Sequence, residues 1–226
     1  MFNARLKKMG TDTMDDASVK SEPGVSAGAA MFTKLKALGV DCIVVNSGTD
    51  FPPIIEGLAE ANANGVDLPQ PLIVPHEHAA MGMAHGYHLA TGKTPVVMLH
   101  TNVGLSNGVT GLINAATDHI PMLLMSGRTP VTEQNRFGAR TVPIGWGQEM
   151  RDQTALVRET SKWDYELRPG QPPEEIVGRA LDIAMTEPRG PVYLCMPREV
   201  LGDLTESTPA APRNRELGAS ISSPSS

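Results

Sequence analysis

The sequence predicts an α/β fold: a doubly wound, mostly parallel sheet with helices on both faces. Two observations carry this. Short, continuous, β-branched apolar runs alternate with amphipathic stretches of helical length, the pattern of strands buried on both sides. The polar residues of the core also gather in a few short segments just after those runs, where sheets of this kind place their ligands.

The elements follow in order. Residues 25–38 carry Ala29, Phe32, Leu35 and Leu38 at helical spacing, with Gly39 as the C-cap. Cys42-Ile43-Val44-Val45 reads as a strand ended by Asn46-Ser47-Gly48. Pro53 to Ala63 resumes the helical pattern, and Leu72-Ile73-Val74 is the next strand. A helix runs from Glu77 to Thr91 and stops at Gly92. Strand Pro95 to Leu99 leads through a polar loop to a helix over 104–117, then to strand Met122 to Met125. After a long irregular stretch, residues 173–186 are helical and Val192 to Cys195 form the last strand. The sequence holds no internal repeat.

Composition narrows the class. The 226 residues are 40% hydrophobic and 19% charged, an ordinary globular balance. Residues 1–23 and 204–226 offer little apolar surface to offset ordering entropy and read as flexible tails, leaving one domain over 24–203. A net charge of −6 with no basic stripe argues against a nucleic-acid partner. No apolar run approaches the roughly 18 residues that span a bilayer, so no membrane partner is expected. The basic start lacks the apolar h-region of a secretory signal. Cys42 and Cys195 lie in apolar runs and read as buried free thiols of a reducing compartment, which places the chain in the cytoplasm.

Two residues stand out. Glu77 follows a strand and Pro75, and opens a helix rich in small residues (Ala79, Ala80, Gly82, Ala84, Gly86) suited to close packing. A carboxylate there is accounted for by the helix dipole. The functional alternative is a buried acid that hydrogen-bonds a heteroaromatic nitrogen. His100 follows Leu99 at a strand end, the usual address of a catalytic group, although a loop histidine also bonds its own backbone. Four of the six histidines fall between 76 and 88. Ala80 stands where a His-Glu-x-x-His helix needs its second ligand, and no carboxylate or cysteine matches His85 and His88, so no metal ligands are assigned. Residues 103–108 fit neither a P-loop nor a dinucleotide fingerprint, no serine-hydrolase elbow is present, and Ser47-Gly48 and Ser126-Gly127 read as turn pairs.

The order of segments is more specific than any one of them. Asn46-Ser47-Gly48-Thr49 is followed by His76-Glu77-His78-Ala79-Ala80, Gly104 to Asn107, Asp118-His119-Ile120-Pro121, Ser126-Gly127, Gly190-Pro191-Val192 and Pro197-Arg198-Glu199-Val200. This set, over about residues 27–200, resembles the N-terminal pyrimidine-binding domain of thiamine diphosphate enzymes of the acetolactate synthase and benzoylformate decarboxylase type. The resemblance implies a flavodoxin-like fold and assigns Glu77 to N1′ of the cofactor's aminopyrimidine. It makes Glu77 and His100 catalytic, with Glu77, Gly48, Gly104 and Asn107 at the cofactor. It leaves Thr49, Asp50, His76, Thr101 and Asn102 as candidates for the substrate pocket. The segment Leu99 to Asn107 is similar to the decarboxylase loop, whose histidine moves protons on the substrate adduct.

In that family the cofactor's diphosphate and Mg²⁺ are held by a Gly-Asp-Gly motif with a later Asn. Gly202-Asp203 is followed here by Leu204. The expectation is therefore an α-type subunit of a split lyase or decarboxylase acting on a 2-oxo acid or 2-hydroxy ketone, a small carbonyl substrate. A second subunit would carry the Gly-Asp-Gly…Asn domain and bind Mg²⁺, in a heterotetramer or higher even-numbered assembly. The alternatives are an acetolactate synthase-like carboligase subunit, a non-catalytic regulatory module of the same fold, and an unrelated flavodoxin-like binder.

Overall fold

The computed structural model describes residues 24–141 and 144–205. Its first half contains β1 (Val25–Ser26), α1 (Ala27–Ala37), β2 (Cys42–Val45), α2 (Pro52–Ala63), β3 (Gln70–Ile73), α3 (Glu77–Thr91), β4 (Val96–Leu99) and α4 (Thr101–Thr117). The second half contains β5 (Leu123–Arg128), α5 (Ile144–Gly147), β6 (Trp163–Glu166), α6 (Pro173–Met185), β7 (Val192–Pro197), α7 (Arg198–Leu201) and β8 (Leu204–Thr205).

Six strands form one sheet in the order β3-β2-β4-β5-β7-β6, and every neighbouring pair is parallel. The doubly wound α/β expectation holds. Strand residues alternate between two cores, as the two-residue period requires. Ile43, Val45, Val96, Met98, Leu123 and Met125 pack beneath α1, α2 and α6. Val44, Val97, Leu99, Leu124, Tyr193 and Cys195 pack beneath α3 and α4. Each fully buried Leu or Met side chain contributes about 1.5–3 kcal/mol of burial. A Cβ on Gly111 of α4 would collide with Met81 of α3, so that glycine sets how closely the two helices pack.

Connectivity positions the site. From β2 the chain steps outward to β3, then returns across β2 to β4 and continues the other way to β5. The winding reverses between β2 and β4, so the segments leaving their carboxyl ends form the crevice of the sheet.

Helix boundaries follow local chemistry. Ser26 Oγ accepts from the Ala29 N–H at 3.2 Å to start α1. Gly92, with φ +70°, ends α3 by donating its N–H to the His88 carbonyl at 2.7 Å.

Several expectations need correction. The strand expected over Leu72 to Val74 shifts to Gln70–Ile73, and Val25 belongs to a short strand rather than to α1. Helix α4 begins at Thr101, not Gly104, so the expected polar loop is its first turn. Ser126 and Gly127 lie within β5 rather than in a turn, because β7 pairs with them along their whole length. The irregular stretch contains β6, an edge strand whose Trp-Asp-Tyr-Glu alternation lacks the continuous apolar run of its neighbours. Leu204 and Thr205, expected in the C-terminal tail, pair with Ser26 and Val25. Cys195 is a buried free thiol, but Cys42 is partly exposed. Residues 1–23 and the remainder of the tail expected over 204–226 lie outside the described residues. Among those described, no helix is long and apolar enough to cross a membrane.

Candidate active site

Two clusters lie at the carboxyl ends of the neighbouring strands β3, β2 and β4. The first is built on Glu77, the first residue of α3. His76 caps that helix by accepting the His78 N–H on its ring nitrogen at 3.2 Å, which leaves the following side chain free. Glu77 Oε2 accepts from Asn107 Nδ2 of α4 at 3.1 Å. A Cβ on Gly104, one turn before Asn107, would stand 3.1 Å from Glu77 Oε1. The glycine thus clears the space that one carboxylate oxygen occupies, while the amide holds the other. Glu77 is half-buried, less enclosed than the functional alternative for it demands, because its outer side is open to solvent.

The second cluster is built on His100, the N-cap of α4. Its imidazole makes no capping bond to its own helix. Instead Nδ1 meets Asp50 Oδ1 of the segment after β2. Asp50 is 3% exposed, and its second oxygen, Oδ2, has no hydrogen-bond partner. A Cβ on Gly127 would overlap Oδ2, and a Cβ on Gly48 would overlap the His100 ring. Both side chains therefore depend on glycines for their places. The bond to Asp50 pulls the His100 pKa above its ordinary 6.5, against the opposing effect of burial. The Asp50 and Glu77 charges add to the rise.

A third group arrives from the long connection after β5. Gln148 Nε2 lies 3.3 Å from His100 Nε2. Its neighbours hold it there: Arg128 at the end of β5 donates to Glu149 Oε1 at 2.8 Å and to the Met150 carbonyl at 2.9 Å, and Thr129 donates to Glu149 Oε2 at 2.9 Å. Sequence reading missed Gln148, since nothing in the connection marks it locally.

The remaining candidates are placed as follows. Thr49 is exposed between Gly48 and Asp50, and His76 is occupied as the α3 cap. Asp50, expected to face a substrate, is turned inward to His100. Thr101 is buried at φ +39°, a left-handed conformation that costs a β-branched residue of order 1–3 kcal/mol. Its hydroxyl and Asn102 Oδ1 are buried without hydrogen-bond partners. His85 pairs with Asp118 at 3.3 Å and His88 bonds the Lys93 carbonyl at 2.8 Å. Among the described residues no group of three or more His, Cys, Asp or Glu is placed to hold a metal ion.

The arrangement offers a carboxyl group steadied on one oxygen, beside a histidine whose ring is fixed from beneath. Together they are groups able to hold and exchange protons.

Residues 25–156 match the family model of the thiamine pyrophosphate enzyme N-terminal TPP binding domain. The chain is 27% identical over 185 residues to the acetolactate synthase large subunit of Lactococcus lactis, covering 80% of this chain and 29% of that protein. It is 28% identical over 182 residues to benzoylformate decarboxylase of Pseudomonas aeruginosa, covering 80% of this chain and 31% of the other. The fold is similar to that of a thiamine diphosphate-dependent 4-hydroxybenzoylformate decarboxylase from Rhodococcus jostii, with a TM-score of 0.70 at 24% identity over 86% of this chain and 34% of that one. The chain thus spans about a third of the length of these relatives.

Proposed function

This chain belongs to the family of N-terminal TPP-binding domains of thiamine pyrophosphate enzymes, and from that premise we propose that it is the α-type subunit of a split lyase or decarboxylase acting on a 2-oxo acid or 2-hydroxy ketone. One observation carries the reading: Glu77 is held by Asn107 and Gly104 with its outer side open, next to the Asp50–His100 pair.

The residues present fit an aminopyrimidine. Gly104 makes room for Glu77 Oε1, and beyond the single Asn107 amide the half-buried carboxyl keeps bonding capacity for a ring nitrogen. When bound, thiamine diphosphate supplies a thiazolium ring that takes up the electron pair released at the substrate carbonyl carbon. Glu77 holds and exchanges a proton at N1′ of the pyrimidine. Asn107 keeps the carboxyl aimed, while Gly104 makes room for that carboxyl and Gly48 for the His100 ring, which sets both beside the cofactor. His100 moves a proton to and from the substrate oxygen or carbon. Thr49 lines the substrate side from its exposed position.

The diphosphate and Mg²⁺ fall to a partner that carries a Gly-Asp-Gly…Asn domain, in a heterotetramer or higher even-numbered assembly. An uncovered apolar face supports this. Met83 and Leu89 of α3 and Val103 and Ile113 of α4 are exposed, and a Cβ on Gly82 or Gly86 would meet nothing within 4 Å. Free Cys42 and Cys195 fit a cytoplasmic location. The matches to acetolactate synthases at similar identity favour a second reading, a carboligase subunit. The two readings separate on product: release of an aldehyde, or capture of a second carbonyl compound.

Glu77→Gln in the assembled enzyme tests the reading. The change conserves volume and removes the ionisable group. Deuterium exchange at thiazolium C2 should slow by about 100-fold or more while the assembly persists. Exchange at the wild-type rate in an intact complex overturns the role of Glu77. The chain alone should bind thiamine diphosphate more weakly than micromolar; tight binding measured calorimetrically overturns the need for a partner.

A further inference from the structure

Asp50 presents a problem that its neighbours solve only in part. Its carboxylate is almost wholly buried, Oδ2 is pressed against the backbone of Gly127 with no donor, and Oδ1 is engaged with His100. A buried carboxylate with a single partner is costly unless that partner can carry the opposite charge. His100 is that partner, and the group on its other nitrogen completes the picture. Gln148 Nε2 stands 3.3 Å from His100 Nε2. An ionised carboxylate only accepts, so the Nδ1 that meets Asp50 Oδ1 carries a proton, and the neutral ring is left with a bare Nε2 within reach of the Gln148 amide.

We propose that Asp50 is the positioning residue for His100: it takes the Nδ1–H bond, fixes the ring as the tautomer with a bare Nε2, and makes Nε2 the atom that accepts and returns the proton. This deepens the functional reading above and rests on it for the identity of the reaction. The step balances without a further reactant. A proton leaves the substrate for Nε2, Asp50 compensates the imidazolium so formed, and the same proton returns to the product. Gln148 serves both states, donating to bare Nε2 and, after its amide turns, accepting from Nε2–H. The charged groups acting on His100 are Asp50 from the β2–α2 segment and Glu77 from α3, and both favour the protonated ring.

Histidine ¹⁵N NMR on the full chain tests the pairing without any cofactor or partner, with the His100 signals identified through His100→Ala. The wild-type ring should titrate above 6.5 and, once neutral, show its proton on Nδ1. In Asp50→Asn the midpoint should fall and the tautomer preference should be lost. A wild-type ring protonated on Nε2 overturns the proposal, even if Asp50→Asn does not fold. So does a midpoint unchanged in a folded Asp50→Asn. In the assembled enzyme, Asp50→Asn should lower kcat about tenfold or more with KM nearly constant, since only orientation is lost. The acidic limb of its pH profile should move to lower pH; an unmoved limb also overturns the proposal. An inactive wild-type assembly sinks the functional reading alone, because the NMR result on the pairing stands by itself.

Discussion

The site holds two carboxylates placed in opposite ways. Asp50 lies beneath the surface, closed off by Gly127 and bound to His100. Glu77 lies at the surface, steadied by one side-chain amide and otherwise free. The buried group has its charge answered within the chain. The open group keeps bonding capacity for something outside it. Stability should therefore be sensitive around Asp50, whereas chemistry should be sensitive around Glu77 and at Nε2 of His100.

The largest effect that sharpens this contrast comes from the residue joining the two sides. His100→Ala in the assembled enzyme should reduce turnover by about 100-fold while cofactor binding survives. Loss of binding with unchanged turnover would reverse the roles. Next come the glycines. Gly127→Ala places a methyl group where Asp50 Oδ2 lies and should cost about 1–3 kcal/mol in denaturant unfolding. Gly104→Ala, whose added carbon stands 3.1 Å from the far end of the flexible Glu77 side chain, should stay within about 1 kcal/mol of wild type because the helix gains from alanine. Equal costs at the two positions would erase the distinction.

A pH series gives a smaller effect. The folded-state pKa of His100 is raised, so its pairing contributes fully below 6.5 and is lost as pH rises through the elevated value. The difference in unfolding midpoint between wild type and His100→Ala should shrink along that path; growth with pH would contradict the pairing. Smallest of all, Asn107→Ala should alter stability by no more than about 0.5 kcal/mol, since its bond to Glu77 is exposed. A larger loss would mean that Glu77, like Asp50, has its charge answered within the chain.

Much of the fold was legible in the chain itself. The continuous apolar runs of β2 and β4 and Gly92 as a stop each carry their signal locally. Strand β6 did not, because an edge strand needs apolar residues on only one side. Thr101 gave no sign of opening a helix, as a β-branched residue at positive φ has no sequence signature. The proximity of Gly104 and Asn107 to Glu77 follows from one-turn spacing on α4 once α3 lies alongside it. The pairing of Asp50 with His100 does not. It joins residues 50 apart and exists only because the winding reverses between β2 and β4. Gln148 depends on a longer chain of events, in which Arg128 at the end of β5 gathers a connection with no periodicity of its own.

The small ribbon of β1 and β8 bears on how this chain can be rebuilt. Val25 lies opposite Thr205 and Ser26 opposite Leu204, so residues 24 and 205 sit side by side. Positions this close let a permuted chain be joined across the ribbon once residues 1–23 and 206–226 are removed. A short linker across the ribbon, with new termini opened at the exposed stretch around residues 133–135, would keep all six parallel strands in register. It would also move the point of attachment for any fused module from the ribbon to the connection that carries Gln148.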